Sequence, residues 1–200
     1  MLKVGITGGI GSGKTTVCKI FEVLRVPVYY ADERAKALMQ TDLKLIHSVK
    51  ELFGEAAYKN GKLNRPFVAE KVFNDKPLLD KLNSIVHPAV AADAMQWMAR
   101  QADKPYAIKE AALLFENGSY KHLDKIILVH AAMETRIARL KSRDNATRAQ
   151  ITARMRHQLS DDEKMKLADF IIYNDAQRQL IPQVLAIHQS LLELSESGRA

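Results

Sequence analysis

Cysteine is almost missing. Cys18 stands alone in 200 residues, which excludes an internal disulfide framework and a thiolate-rich metal site. It also points to a reducing compartment, expected to be the cytoplasm. Long apolar runs are missing too. The longest stretch without Asp, Glu, Lys or Arg is the 14 residues from Gln179 to Leu192, and it holds Pro182, Gln183 and Gln189. No membrane-spanning helix is expected from it. Met1-Leu2-Lys3-Val4-Gly5 leads straight into a folded pattern with no secretory n-region or h-region. The histidines (His47, His87, His122, His130, His157 and His188) show no ligand spacing, so no protein-ligated metal cluster is expected. There is no internal repeat and no low-complexity stretch.

What remains is an ordinary globular composition, 47% hydrophobic and 26% charged, sized for one or two domains. The net charge of +7 calls for an anionic partner, whether nucleic acid, lipid or a phosphorylated small molecule.

Short β-rich runs recur at Leu2 to Thr7, Val26 to Tyr30, Ala107 to Ala111, Ile126 to His130 and Phe170 to Tyr173. Each is apolar at nearly every position, as in strands buried on both faces. Helical spacing fills the gaps, so a parallel sheet covered on both sides is expected. From Ala31 to Tyr106 no strand candidate exists. Leu45, Val49 and Leu52 predict a helix over Thr41 to Phe53 closed by Gly54. Asn64-Arg65-Pro66 looks like a helix start, and Leu78, Leu79, Leu82 and Ile85 form a stripe ending at His87-Pro88. This insertion is either a structural elaboration or a substrate-binding subdomain. Its departure from a strand's carboxyl end favours the second. Further on, Thr147 to Gln150 and Ser160 to Glu163 fit capping boxes. A terminal helix is expected over about Gln177 to Leu194, with a frayed tail from Ser195 to Ala200. Trp97 and the methionines read as packing.

Gly8-Gly9-Ile10-Gly11-Ser12-Gly13-Lys14-Thr15 satisfies G-x-x-x-x-G-K-[ST] between a strand and an amphipathic helix carrying Val17, Ile20, Phe21 and Leu24. That is the context the phosphate-binding motif requires. Its glycines let successive N–H groups face phosphate oxygens, and the helix start adds positive potential. Lys14 can reach β- and γ-phosphates, and the Thr15 hydroxyl can ligate Mg²⁺. The loop alone does not choose a reaction. No guanine-reading N-K-x-D stretch is present, and the strand Ala107 to Ala111 carries only Glu110 in place of paired acids. A small-molecule kinase would need an acid, an acceptor domain and a cationic lid, and each has a candidate. Asp32, just past Val26 to Tyr30, is either a general base or Mg²⁺ partner, or an N-cap. The stretch Arg136 to Arg156 carries seven basic residues against Asp144, a local +6. Arg136, Arg139 and Arg143 share one helix face, with Met133, Ile137 and Leu140 on the apolar face. It reads as a flap with arginines pointing one way, suited to clamping phosphates and excluding water. A solvated face is the bland alternative, and nucleic acid a third, although no aromatic residue is present there to stack bases.

The run Gly5 to Val17 resembles the start of dephospho-coenzyme A kinases. So do Ala31-Asp32, Gly61-Lys62-Leu63-Asn64-Arg65, Val72-Phe73, Ile85-Val86-His87-Pro88 and Leu113-Leu114-Phe115-Glu116. The series continues with Arg139 to Asp144, Arg154-Met155 through Gln158, and Ala168-Asp169-Phe170 to Asn174. The resemblance covers nearly the whole chain in order. It implies an α/β P-loop kinase core with a five-stranded parallel sheet flanked by helices, in residues 1–30, 107–135 and 159–200. It adds a helical acceptor domain (31–106) and a helical lid (136–158). The activity implied is ATP- and Mg²⁺-dependent phosphorylation of the 3′-hydroxyl of dephospho-CoA, with no nucleic acid, membrane or protein partner. Asp32, Lys14 and Arg143 become catalytic candidates. Gly9, Gly11, Ser12, Gly13, Lys14, Thr15, Thr16, Arg139, Arg143 and Asn174 become ATP-site candidates, Asn174 as an adenine neighbour. Asp32, Arg65, His87 and Glu110 become acceptor-site candidates. The chain departs from the family pattern at Tyr30, which replaces a first Asp and leaves Asp32 the only acid of that motif. It departs again at Ala112, where proline is usual, and at Asp175-Ala176, a less glycine-rich turn.

Overall fold

The computed structural model describes residues 1–73, 75–156, 158–175 and 177–197. Its elements run β1 (Leu2–Thr7), α1 (Lys14–Val23), β2 (Val28–Tyr30), α2 (Ala31–Thr41), α3 (Leu43–Phe53), β3 (Tyr58–Lys59), β4 (Lys62–Leu63), α4 (Arg65–Phe73) and α5 (Lys76–Ala99). They continue with β5 (Tyr106–Glu110), β6 (Lys125–His130), α6 (Met133–Asp144), α7 (Arg148–Met155), α8 (Asp161–Leu167), β7 (Phe170–Tyr173) and α9 (Leu180–Ser197). The chain divides into two compact units, residues 1–30 with 98–200, and residues 31–97. Residues 98–106, expected with the insertion, group with the first unit.

The first unit is built on a parallel sheet ordered β2-β5-β1-β6-β7. Ile6 sits opposite Glu110 on one side and Ile127 on the other. All five expected strands form, because each is a run of side chains that can be buried on both faces at once. On one face α1 and α9 bury Val17, Cys18, Phe21, Val184, Ile187 and Leu191 against Val4, Ile6, Ile108 and Ile127. Phe21 meets Tyr106 edge to face, with centroids 6.5 Å apart. Truncating a fully buried side chain such as Ile127 to Ala should cost about 2–5 kcal/mol. At Gly5 a Cβ would press on the side-chain ends of Ile126, Leu123 and Leu114, so a larger residue there would oblige those methyl groups to shift. Neighbours on the two sides of β1 are reached by crossovers, and the loop that leaves its carboxyl end lies where open α/β sheets bind ligands.

Residues 31–97 form the second unit. Asp42 caps α3, accepting from Lys44 N at 2.9 Å and Leu45 N at 3.1 Å. Two findings differ from the sequence expectation. A small hairpin, β3 with β4, exists where no strand was expected. Asn60 and Gly61, with φ 52° and 72°, form its two-residue turn, and both residue types tolerate that left-handed backbone. Tyr58 Oη donates to the Met39 carbonyl at 2.7 Å, and Leu63 N to Gln40 Oε1 at 3.2 Å, so the hairpin is anchored to the end of α2. Secondly, α5 runs on through Pro88. Proline removes one helical hydrogen bond, but Val86, Val90 and Ala94 are buried at four-residue spacing across it. That apolar stripe outweighs the break.

In the last third both capping boxes form, at Thr147 with Gln150 and Ser160 with Glu163. Helix α9 is shifted three residues along from the expected span. Ser195 is helical and buried rather than part of a frayed tail; residues 198–200 lie outside the described residues, as do His157 and Ala176. Met133, expected on the apolar face of α6, is 43% exposed, while Ile137 and Leu140 are buried. Met95 is likewise exposed rather than packed. Among the described residues no helix is long and apolar enough to cross a membrane.

Candidate active site

The sheet delivers the loop Gly8 to Thr15 from a strand that is buried from Val4 onward. The loop is held through its carbonyls. Ser12 N donates to Gly9 O at 3.0 Å. Lys14 Nζ donates to Gly8 O at 3.0 Å and lies 4.0 Å from Glu110 Oε1, with both side chains largely buried. Arg139, from α6, donates to Ser12 O at 3.3 Å and Gly11 O at 3.5 Å. Its other nitrogen donates to Asn174 O and Oδ1, both at 3.1 Å. Asn174 Nδ2 in turn donates to Ser12 O at 2.8 Å, and Asn174 N to His130 O at 2.8 Å keeps that residue at the end of β7.

In a trans peptide the carbonyl and the following N–H point in opposite directions. Two donors on the Ser12 carbonyl therefore fix the Gly13 N–H on the opposite side of that peptide, away from Arg139 and Asn174. Gly13 is the N-cap of α1 in a left-handed conformation (φ 96°), and a Cβ there would collide with Asn174 Nδ2. Backbone strain and close approach both demand glycine at this position. Thr15 and Thr16 are exposed on the first turn of α1. The Ser12 hydroxyl is 1% exposed and has no hydrogen-bond partner among the described residues. A cradle of amides at a helix N-terminus, with Lys14 beside it and a free hydroxyl beneath, is chemically fitted to a polyphosphate.

The arginines of the basic stretch do not point one way. Arg136 is 8% exposed, and its guanidinium occupies the space a Gly9 Cβ would need. Its Nη2 lies 3.5 Å from Asp161 Oδ2, and His130 Nδ1 lies 3.7 Å from the same oxygen. Arg143 is exposed and grips Asp144 with two contacts, at 2.6 Å and 3.0 Å. Arg154 joins the same carboxylate at 3.4 Å, and Arg148 pairs with Glu134 at 2.6 Å and 2.8 Å. These arginines hold the Asp144 and Glu134 carboxyls below the usual carboxylate range. The local +6 thus has much of its charge answered on the spot.

Gly9, Gly11, Ser12, Gly13, Lys14, Thr15, Thr16, Arg139, Asn174 and Glu110 come together in the first unit. Arg143 sits at the far end of α6. Asp32, Arg65 and His87 belong to residues 31–97: Asp32 exposed in the first turn of α2, Arg65 at the start of α4, His87 on α5. Helix α2 begins at Ala31, so Asp32 does not occupy the N-cap position weighed for it. It follows Tyr30, opposite Glu110 in the sheet register, by two residues. Cys18, beneath the loop, has its thiol pushed up by burial and then by the Glu110 and Glu22 carboxylates, which makes it a packing residue rather than a nucleophile.

Two contacts were not foreseen, although Glu116 and Gln158 lie in segments that carry the family resemblance. Lys164, 0% exposed, pairs with Glu116 at 2.9 Å, and Glu116 Oε1 also accepts Leu159 N at 2.9 Å. Gln158 bridges Ile10 N and the Ala112 carbonyl.

The family model for dephospho-CoA kinase matches residues 2–179. A dephospho-CoA kinase of Bacteroides fragilis is 40% identical over 186 residues, covering 93% of this chain and 91% of that protein. A solved Thermus thermophilus protein is 32% identical with a TM-score of 0.84, covering 94% of this chain and 96% of the other. Dephospho-CoA kinase from Campylobacter jejuni is 26% identical with a TM-score of 0.70, covering 98% of both chains. Matched over nearly its whole length in sequence and in fold, the chain belongs to the dephospho-CoA kinase family.

Proposed function

We propose that this chain transfers the γ-phosphoryl group of ATP to the 3′-hydroxyl of dephospho-CoA, giving CoA and ADP. Membership of the family carries this reading, joined to a phosphate loop whose Ser12–Gly13 peptide is held by Arg139 and Asn174. The bond from the γ-phosphorus to the β,γ-bridging oxygen breaks, and one to the acceptor oxygen forms. The acceptor proton passes to the Asp32 carboxylate and then to water. Lys14 and the loop amides stabilise charge on the β- and γ-oxygens, an electrostatic contribution that is usually the largest in such transfers. The exposed Thr15 hydroxyl fits a Mg²⁺ ion, which when bound neutralises phosphate charge.

Residues 31–97 serve as the acceptor domain in this proposal, with Arg65, His87 and Glu110 as acceptor contacts, and residues 136–158 as the lid. Arg143 clamps the transferring phosphoryl after leaving Asp144. Asn174 acts on the nucleotide through the Ser12 carbonyl it holds. The lone buried cysteine suits a cytoplasmic setting.

Purified protein given ATP, Mg²⁺ and dephospho-CoA should form CoA and ADP in equal amounts, and nucleoside monophosphates or sugar acids should not replace the acceptor. Absence of CoA would contradict the assignment. Asp32→Asn should lower kcat by about 10²- to 10⁴-fold with ATP affinity nearly intact. An unchanged kcat would remove Asp32 as the base.

A further inference from the structure

The peptide joining Gly9 to Ile10 is pinned at both of its polar ends. Its carbonyl accepts Ser12 N at 3.0 Å from within the loop. Its N–H, on Ile10, donates to Gln158 Oε1 at 3.0 Å, a residue 148 positions away. The other end of the same side-chain amide, Nε2, donates to the Ala112 carbonyl at 3.3 Å. That carbonyl, just past β5, also accepts the Thr7 hydroxyl at 3.5 Å from the last residue of β1. One amide thus joins the phosphate loop to the ends of the two strands beside it. The job needs an acceptor and a donor on one flat group, which is what a primary amide supplies. Gln158 is itself fixed. Its N–H donates to Met155 O at 3.0 Å, closing α7, and the next residue, Leu159, donates to Glu116 Oε1.

We infer that Gln158 is a positioning residue for ATP: from the segment that follows α7, it holds the Gly9–Ile10 peptide in the orientation the phosphate cradle needs. It touches no reacting atom and acts through the loop. Without it the Ile10 N–H loses its partner and the peptide keeps only the Ser12 N bond to the Gly9 carbonyl, so part of the cradle is held less firmly and must be ordered when the polyphosphate binds. The tether's only contact with the loop is at the Gly9–Ile10 peptide, so the effect is expected on ATP affinity ahead of acceptor affinity.

The inference rests on ATP binding at the loop, as proposed above, and the experiment separates the two. Gln158→Met keeps length and bulk and removes both hydrogen bonds. ATP affinity is measured by titration calorimetry without acceptor, alongside the KM for dephospho-CoA and the nucleotide-free melting temperature. Relative to wild type, the variant should bind ATP about tenfold more weakly. The acceptor KM should hold within about twofold, and the melting temperature should fall by no more than about 4 °C. Gln158→Asn, too short to reach both partners, should weaken ATP binding about threefold and serves if the methionine variant does not fold. Unchanged ATP affinity would overturn the tether, as would equal losses for ATP and acceptor. Failure of both variants to fold would make the residue structural and also overturn it. Wild-type protein that does not bind ATP would overturn the proposed function itself, and the tether with it.

Discussion

Arg139 and Arg143 lie one helical turn apart on α6, yet their surroundings have little in common. Arg139 spends its guanidinium on the backbone of the phosphate loop and on Asn174. Arg143 reaches outward and closes on its neighbour Asp144. Arg136 goes with the first, packed over Gly9, and Arg148 and Arg154 go with the second. A run of like charge in a sequence therefore splits into two physical roles. The inner arginines are structural members of the nucleotide site: Arg139 holds part-buried carbonyls of the loop and of Asn174, and the buried Arg136 packs over Gly9 beside the Asp161 carboxylate. The outer ones hold exposed carboxylates through contacts weak enough to be exchanged for a phosphate.

The largest break in this comparison should come from Arg139→Leu. It leaves the Gly11 and Ser12 carbonyls short of a donor, and should cost about 2–4 kcal/mol in denaturant unfolding while weakening ATP binding at least about tenfold. A stability near wild type would place Arg139 with the outer group. Gly9→Ala comes next. The added methyl displaces the Arg136 guanidinium, and a loss of about 1–3 kcal/mol is expected. In the double variant with Arg136→Ala the two losses should fall short of their sum, whereas full additivity would mean the contact carries no weight. Arg148→Gln sharpens the other side. Breaking its exposed pair with Glu134 should shift stability by less than about 0.5 kcal/mol, and a loss above about 1 kcal/mol would show that the outer arginines are structural too.

Most of the sheet could be read from the residues alone, because a strand buried on both faces leaves an unbroken apolar run that names its own ends. Strand β1 came out to the residue, and β5 and β6 within one. The β3–β4 hairpin was not readable from a periodic pattern, since two-residue strands have none. Its Asn60-Gly61 turn was the one available cue. Pro88 misled because a local helix breaker was outweighed by a burial stripe that only the packed unit reveals. Within the candidate site, the loop residues were legible from glycine spacing and context, which are local properties. Gln158, Lys164 with Glu116, and the inward turn of Arg136 depend on partners far along the chain. A glutamine, a lysine or an arginine looks the same in sequence whether it faces solvent or a buried carbonyl.

The division between inner and outer arginines stands or falls on Arg143. Its present partner, Asp144, is a surface carboxylate, so Arg143→Gln should leave the melting temperature near that of wild type. The measurement is kcat for dephospho-CoA phosphorylation by that variant at saturating ATP. The account predicts a fall of about 10²-fold or more, the scale of losing one charged donor to a transferring phosphoryl; a kcat within about twofold of wild type would contradict it.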